Sequence, residues 1–164
     1  MSIEIRGNTG ILVKKNGVST YIAKDSETNP LAAYPVHTAD KTIATTSNTD
    51  FYLIVPAAGK LLSVDFSGID ALAANDTNYI TFSITNLGQA GAGSTAMLAA
   101  TDANTTKATG GTAIAANTKR SLTKNATAAN LVVAEGDRLR IRAAATGTLA
   151  NTVTGSAFCL RFGG

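Results

Sequence analysis

Alternation of apolar and polar side chains dominates the chain from about residue 51 to its end. Leu62, Val64 and Phe66 alternate with Ser63, Asp65 and Ser67, and Ile80, Phe82 and Ile84 alternate with Tyr79, Thr81, Ser83 and Thr85. Leu139, Ile141 and Ala143 alternate with Arg138, Arg140 and Arg142, while Phe158, Leu160 and Phe162 share one face near the end. A side-chain period of two places each apolar set on one face of a strand and its polar complement on the other. With the run 51–55 and weaker strands at 96–100 and 118–124, about eight strands result, at the spacing of an all-β sandwich or barrel. No segment sustains a 3.6-residue period, and residues 69–74 have room for one helical turn only. An aligned pair of sheets would bury Leu62, Val64, Phe66, Ile80, Phe82, Ile84, Leu139, Ile141, Phe158, Leu160 and Phe162.

Turn chemistry punctuates this pattern. The stretch NLVVAEGDRLRIRAA, residues 130–144, reads as two β runs split by Glu135-Gly136-Asp137 into a hairpin. Glycine supplies the positive φ such turns need, and the aspartate can bond its own backbone. Residues 87–93 read as a glycine-rich turn, and 102–117, rich in Thr, Ala and Gly, as a long surface loop. Near the start, Asn16-Gly17 between two apolar runs is a strong two-residue hairpin signal. In register it would set Ile11 against Ile22, Val13 against Thr20 and Lys15 against Val18. From residue 24 to 40 the pattern stops, and two prolines and mixed charges suggest an arm or a linker. The division expected is a hairpin and extended arm over 1–48 and a β domain over 49–164.

Charge changes the picture only locally. The net charge is +3 and charged residues make up 15% of the chain. Residues 101–164 hold eight basic residues against three acidic, so the excess lies in the C-terminal half. That favours an acidic or polar partner over nucleic acid, which is met with a denser basic face. The single cysteine excludes an internal disulfide framework. The N-terminus lacks an apolar signal core, and no run reaches membrane-spanning length. The expectation is a soluble chain made in a cytoplasm, with no membrane partner.

Candidate chemistry is thin. His37, the only histidine, lies in the least patterned segment and reads as a surface histidine, because a catalytic base must be rigidly held. Cys159 reads as a small apolar strand residue without a base partner, and one Cys with one His cannot supply a zinc site. The glycines at 88, 91 and 93 are not followed by the helix that a phosphate loop requires. Asp65, Asp70 and Asp76 do not have the spacing of a helix-flanked calcium loop. No catalytic residue, cofactor or metal is expected. The row Arg138, Arg140, Arg142 has two readings, a solvated sheet face or an interface, since arginine forms bidentate contacts with carboxylates.

The order of Val55-Pro56-Ala57-Ala58-Gly59-Lys60, Asn75-Asp76-Thr77-Asn78-Tyr79-Ile80-Thr81-Phe82, Asn86-Leu87-Gly88-Gln89-Ala90-Gly91 and Glu135-Gly136-Asp137 resembles the decoration (auxiliary head or head-fibre base) proteins of tailed bacteriophages. The resemblance covers about residues 49–164. It implies a jelly-roll β-sandwich, a homotrimer, the major capsid protein as partner, and a place on the outer capsid surface of the virion, where the protein stabilises the shell without catalysis. A host- or glycan-binding fibre module of the same fold is the alternative. On this reading the N-terminal segment makes the principal contact, with Leu31, Tyr34 and Val36 filling pockets on the partner. The Arg138, Arg140, Arg142 face is the other candidate surface.

Overall fold

The computed structural model describes residues 2–6, 10–15, 18–23 and 33–163. At the N-terminus, β1 (Ser2–Arg6), β2 (Gly10–Lys15) and β3 (Val18–Ala23) form an antiparallel three-stranded sheet. Val13 pairs with Thr20 and Lys15 with Val18, as the hairpin signal implies. A register shift between Ile11 and Leu12 sets Ile11 against Ala23 in place of Ile22. Asn16-Gly17 itself lies outside the described residues.

The main body is an antiparallel β-sandwich. One sheet runs β6 (Thr49–Ile54), β12 (Arg138–Thr146), β8 (Tyr79–Asn86), β9 (Thr95–Ala96). In the other, β7 (Gly59–Ser67) and β13 (Val153–Gly163) are central. β4 (Tyr34–His37) and β5 (Lys41–Ile43) flank β13, while β10 (Arg120–Ser121) and β11 (Val132–Val133) flank β7. From β5 onward the chain crosses between sheets at nearly every connection, the double Greek-key winding of a jelly roll. Phe51, Phe66, Phe82 and Phe158, one from each of β6, β7, β8 and β13, meet at the centre of the core.

Four local findings depart from the sequence reading. First, β4 is a sheet strand and not part of an arm. Tyr34 and Val36 pack against the core, and the Tyr34 ring stacks on Phe162 at 5.6 Å. These two side chains are therefore partly buried within the chain's own sheet, while Leu31 lies outside the described residues. Pro35 is tolerated because β4 is an edge strand, where a missing N–H costs no ladder bond. With β4 and β5 paired to β13, the sandwich reaches back to Tyr34, ahead of residue 49.

Second, Leu62 is exposed and Leu61 is buried. Ser63 pairs with Arg161 and Leu61 with Phe162, so Leu62 is the extra residue of a β-bulge, and the period-two phase flips there. Third, residues 130–144 are not a hairpin. Gly136 does take a positive φ of 81°, but β11 pairs with β7 whereas β12 pairs with β6 and β8. The turn carries the chain from one sheet to the other.

Fourth, the segment 102–117 is anchored and not a free surface loop. Ile114 is buried and pairs with Leu72, which removes the helical turn considered at 69–74. Asn104 is buried within a short 3-10 turn, Asp102–Asn104, and makes three side-chain hydrogen bonds. Arg120 is partly buried against Phe82 and donates to the carbonyls of Ala103, Thr105 and Thr112. Polar side chains, together with buried Ile114, hold this loop to the sandwich.

Candidate functional site

The outer face of the β6-β12-β8-β9 sheet carries the arginine row. Along β12, Leu139, Ile141 and Ala143 are buried and Arg138, Arg140 and Arg142 face outward, as the alternation implies. The ladder places Ile54, Tyr52 and Asp50 of β6 beside Arg138, Arg140 and Arg142 respectively. On the other flank, Thr85 and Ser83 of β8 lie beside Arg140 and Arg142. The face is thus polar on the β8 side and, Asp50 apart, apolar on the β6 side.

Two of the three guanidiniums lean over β6. Arg142 grips Asp50 with two parallel bonds, Nε to Oδ1 at 2.6 Å and Nη2 to Oδ2 at 2.7 Å. This is the bidentate fork that arginine makes with carboxylates. The Arg138 guanidinium lies 4.6 Å from the centre of the Tyr52 ring, a cation–π contact. Among the described residues Arg138 has no carboxylate partner, and the buried Nε of Arg140 has no acceptor. Ile54, at 68% exposure, and Tyr52, at 48%, complete the patch. The run FYLIV hides this division, because five apolar residues in succession show no face; flanking Asp50 was the only signal.

The opposite outer face holds a second cluster. Cys159 of β13 sits directly between His37 of β4 and Asp65 of β7 in adjacent strands. It is partly exposed, and the fold supplies an imidazole neighbour that the sequence concealed. The thiol lies between imidazole and carboxylate, about 10 Å apart at two strand spacings. Asp65 therefore cannot orient His37 as a catalytic carboxylate orients its histidine. It accepts instead from Ser121 Oγ at 2.7 Å and faces Lys119. Among the described residues no three His, Cys, Asp or Glu side chains converge to hold a metal ion. No helix among them is long and apolar enough to cross a membrane.

An open groove of about 570 Å³ runs along β8, floored by Thr81, Ser83 and Thr85 and bounded by Asp102 and Lys107. Lys107 lies over the Tyr79 ring at 5.0 Å and bonds Asp102 at 2.9 Å. The groove's cation, acid and aromatic ring thus satisfy one another.

The remaining carboxylates tie loops together. Asp70 accepts from the hydroxyl and amide of Thr154, and Asp76 from the amide and hydroxyl of Thr109. Those bonds hold both carboxyls below the ordinary range, as the Arg142 hydrogen bond does for Asp50. A depressed folded-state pKa stabilises the fold above the unfolded value of about 4 and is lost as pH falls through it toward the folded value. Melting temperature should therefore be insensitive to pH between neutrality and about pH 5, then drop in acid. Combined Asp70→Asn and Asp76→Asn substitution should flatten that acid limb in thermal melts; an unchanged limb would show that these loops do not govern it.

No protein-family model, curated protein or solved structure matches this chain.

Proposed function

We propose that this chain is a structural, non-enzymatic virion protein that binds the outer surface of a phage capsid and stabilises it. The jelly-roll sandwich is consistent with the resemblance of residues 49–164 to phage decoration proteins. The observation that carries a docking role is the outer sheet face. Tyr52 and Ile54 are exposed beside arginines held by cation–π and bidentate contacts, a rigid mixed patch of the kind enriched at protein interfaces. The partner in this reading is the major capsid protein, and the assembly is a homotrimer, since closed cyclic symmetry suits a capsid three-fold position.

The test is sedimentation of the purified full-length protein with expanded capsids that lack it. Saturable co-sedimentation and a higher capsid melting temperature are expected; protein left wholly in the supernatant would sink the proposal. Light scattering on the free protein reads the trimer. Removal of residues 1–32 separates the N-terminal segment's role without touching β4. A deletion reaching residue 42 would strip β4 and most of β5 from the sheet and confuse binding with folding.

A further inference from the structure

We infer that the open edge of β6 and the arginines leaning over it form one docking surface, which takes an extended acidic segment of a partner protein as an added strand. This deepens the capsid-docking reading and rests on it for the partner's identity.

The phase of the β6–β12 ladder decides which backbone groups are free. The Val55 amide donates to the Asp137 carbonyl, and the pairing continues through Leu53 with Leu139 and Phe51 with Ile141. In an antiparallel ladder, bonded and non-bonded pairs alternate. Phe51 and Leu53 therefore bond toward β12, and the N–H and C=O groups of Asp50, Tyr52 and Ile54 point the other way. The Asp50 carbonyl accepts from Lys41 Nζ, which confirms that direction and closes this end of the edge. Among the described residues no strand pairs with the outward groups of Tyr52 and Ile54. These two residues also carry the exposed apolar side chains of the patch. Natural sheet edges are commonly protected by charge, proline or cover; in β6 the proline comes only at residue 56, after the open rungs.

Charge selects the occupant. Arg138 belongs to β12, yet its contact with Tyr52 carries its guanidinium over β6, within reach of a strand beyond. Arg142 shows on the same face how a carboxylate one strand away is gripped, but its charge is already matched by Asp50. Among the described residues Arg138 has no such match, so a partner strand with Asp or Glu opposite Tyr52 or Ile54 would complete it. A second copy of β6 would bring another Arg138 to the same edge and is disfavoured by like charge. A sugar is disfavoured because Arg138 covers a face of the Tyr52 ring and Ile54 offers an aliphatic surface. Nucleic acid would use the arginines but leave the outward amides and Ile54 without partners.

The experiment uses the full-length protein and a fluorescent peptide of alternating glutamate and valine, read by anisotropy. Saturable binding is expected, about tenfold or more weaker for a lysine–valine peptide and for the Arg138→Glu variant. Methylation of the peptide amides on one edge should abolish binding while leaving every charge in place. Equal binding of acidic and basic peptides, or unchanged binding of the methylated peptide, would overturn the proposal; the second result would indicate plain polyanion attraction. A free-protein oligomer that dissociates on Ile54→Arg substitution would place a second copy at the edge and overturn it too. Arg138→Glu should keep the wild-type melting temperature, which separates lost binding from lost folding. Capsids that sediment Arg138→Glu as well as wild type would sink this surface and leave the docking reading intact. Peptide binding by a protein that no capsid retains would do the reverse.

Discussion

Phe158→Ala should lower the unfolding free energy by about 3–5 kcal/mol, the range for truncating a buried phenylalanine. Its ring lies 5.0 Å from Phe51, 5.1 Å from Phe66 and 5.9 Å from Phe82. Phe51 and Phe82 belong to one sheet, and Phe66 and Phe158 to the other, so the cavity would open where the sheets meet. Both sheets are hydrogen-bonded ladders that resist closing onto it, which places the loss toward the upper end. Leu62→Ala provides the contrast. The alternating pattern gives Leu62 the same standing as Phe66, but the bulge exposes it, and its loss should stay within about 1 kcal/mol. Urea unfolding of both variants decides the matter. Similar losses would mean that the bulge is absent and Leu62 is a core residue. A charge at the same depth, as in Leu139→Asp or Phe82→Asp, should prevent folding altogether.

Asn104→Ala should destabilise by roughly 1–3 kcal/mol, an effect the sequence gives no reason to expect. The side chain is 1% exposed and donates to the carbonyls of Ala99 and Thr123, both at 2.8 Å. It also accepts from the Thr123 amide at 2.7 Å. Truncation leaves the Thr123 amide without a partner, at roughly 1–3 kcal/mol where water cannot reach, while the Ala99 and Thr123 carbonyls each lose one of two donors and still accept from the Thr101 and Ala99 amides. Asn104→Asp should be worse despite its matching shape, because it turns an acceptor toward two carbonyls. Thermal melts rank the two variants, and hydrogen exchange at the Thr123 amide localises the change. If Thr123 stayed protected in Asn104→Ala, the segment would be held chiefly by Arg120 and its three carbonyl contacts.

Asn104 and Arg120 show where reading the chain fails. Asn104 belongs to loop-like sequence and Arg120 to a weakly patterned strand, and nothing local distinguishes a buried polar side chain from a solvated one. The distinction arises only when Ala99, Thr123 and the loop after residue 102 are brought together. Tyr34 and Val36 fail for a related reason. Two prolines and a break in pattern obscure a four-residue strand whose identity depends on lying beside β13. The arginine row is the opposite case. Its outward placement was legible from alternation alone, whereas Tyr52, Ile54 and the Asp50 clasp became visible only when β6 lay next to β12.

The all-β class, the facing of β8 and β12, the inward Phe158, Leu160 and Phe162, and the turn at Gly136 were legible in the residue pattern. Each follows from one-sided burial or from the φ that a single residue can adopt, and both are local properties. Tertiary structure alone decided which strands pair. It turned the expected 130–144 hairpin into a crossover, exposed Leu62, buried Asn104, set His37 beside Cys159 and left the β6 edge open. Strand pairing depends on residues far apart in the chain, and a period of two records which side of a strand is buried but not which strand lies beside it.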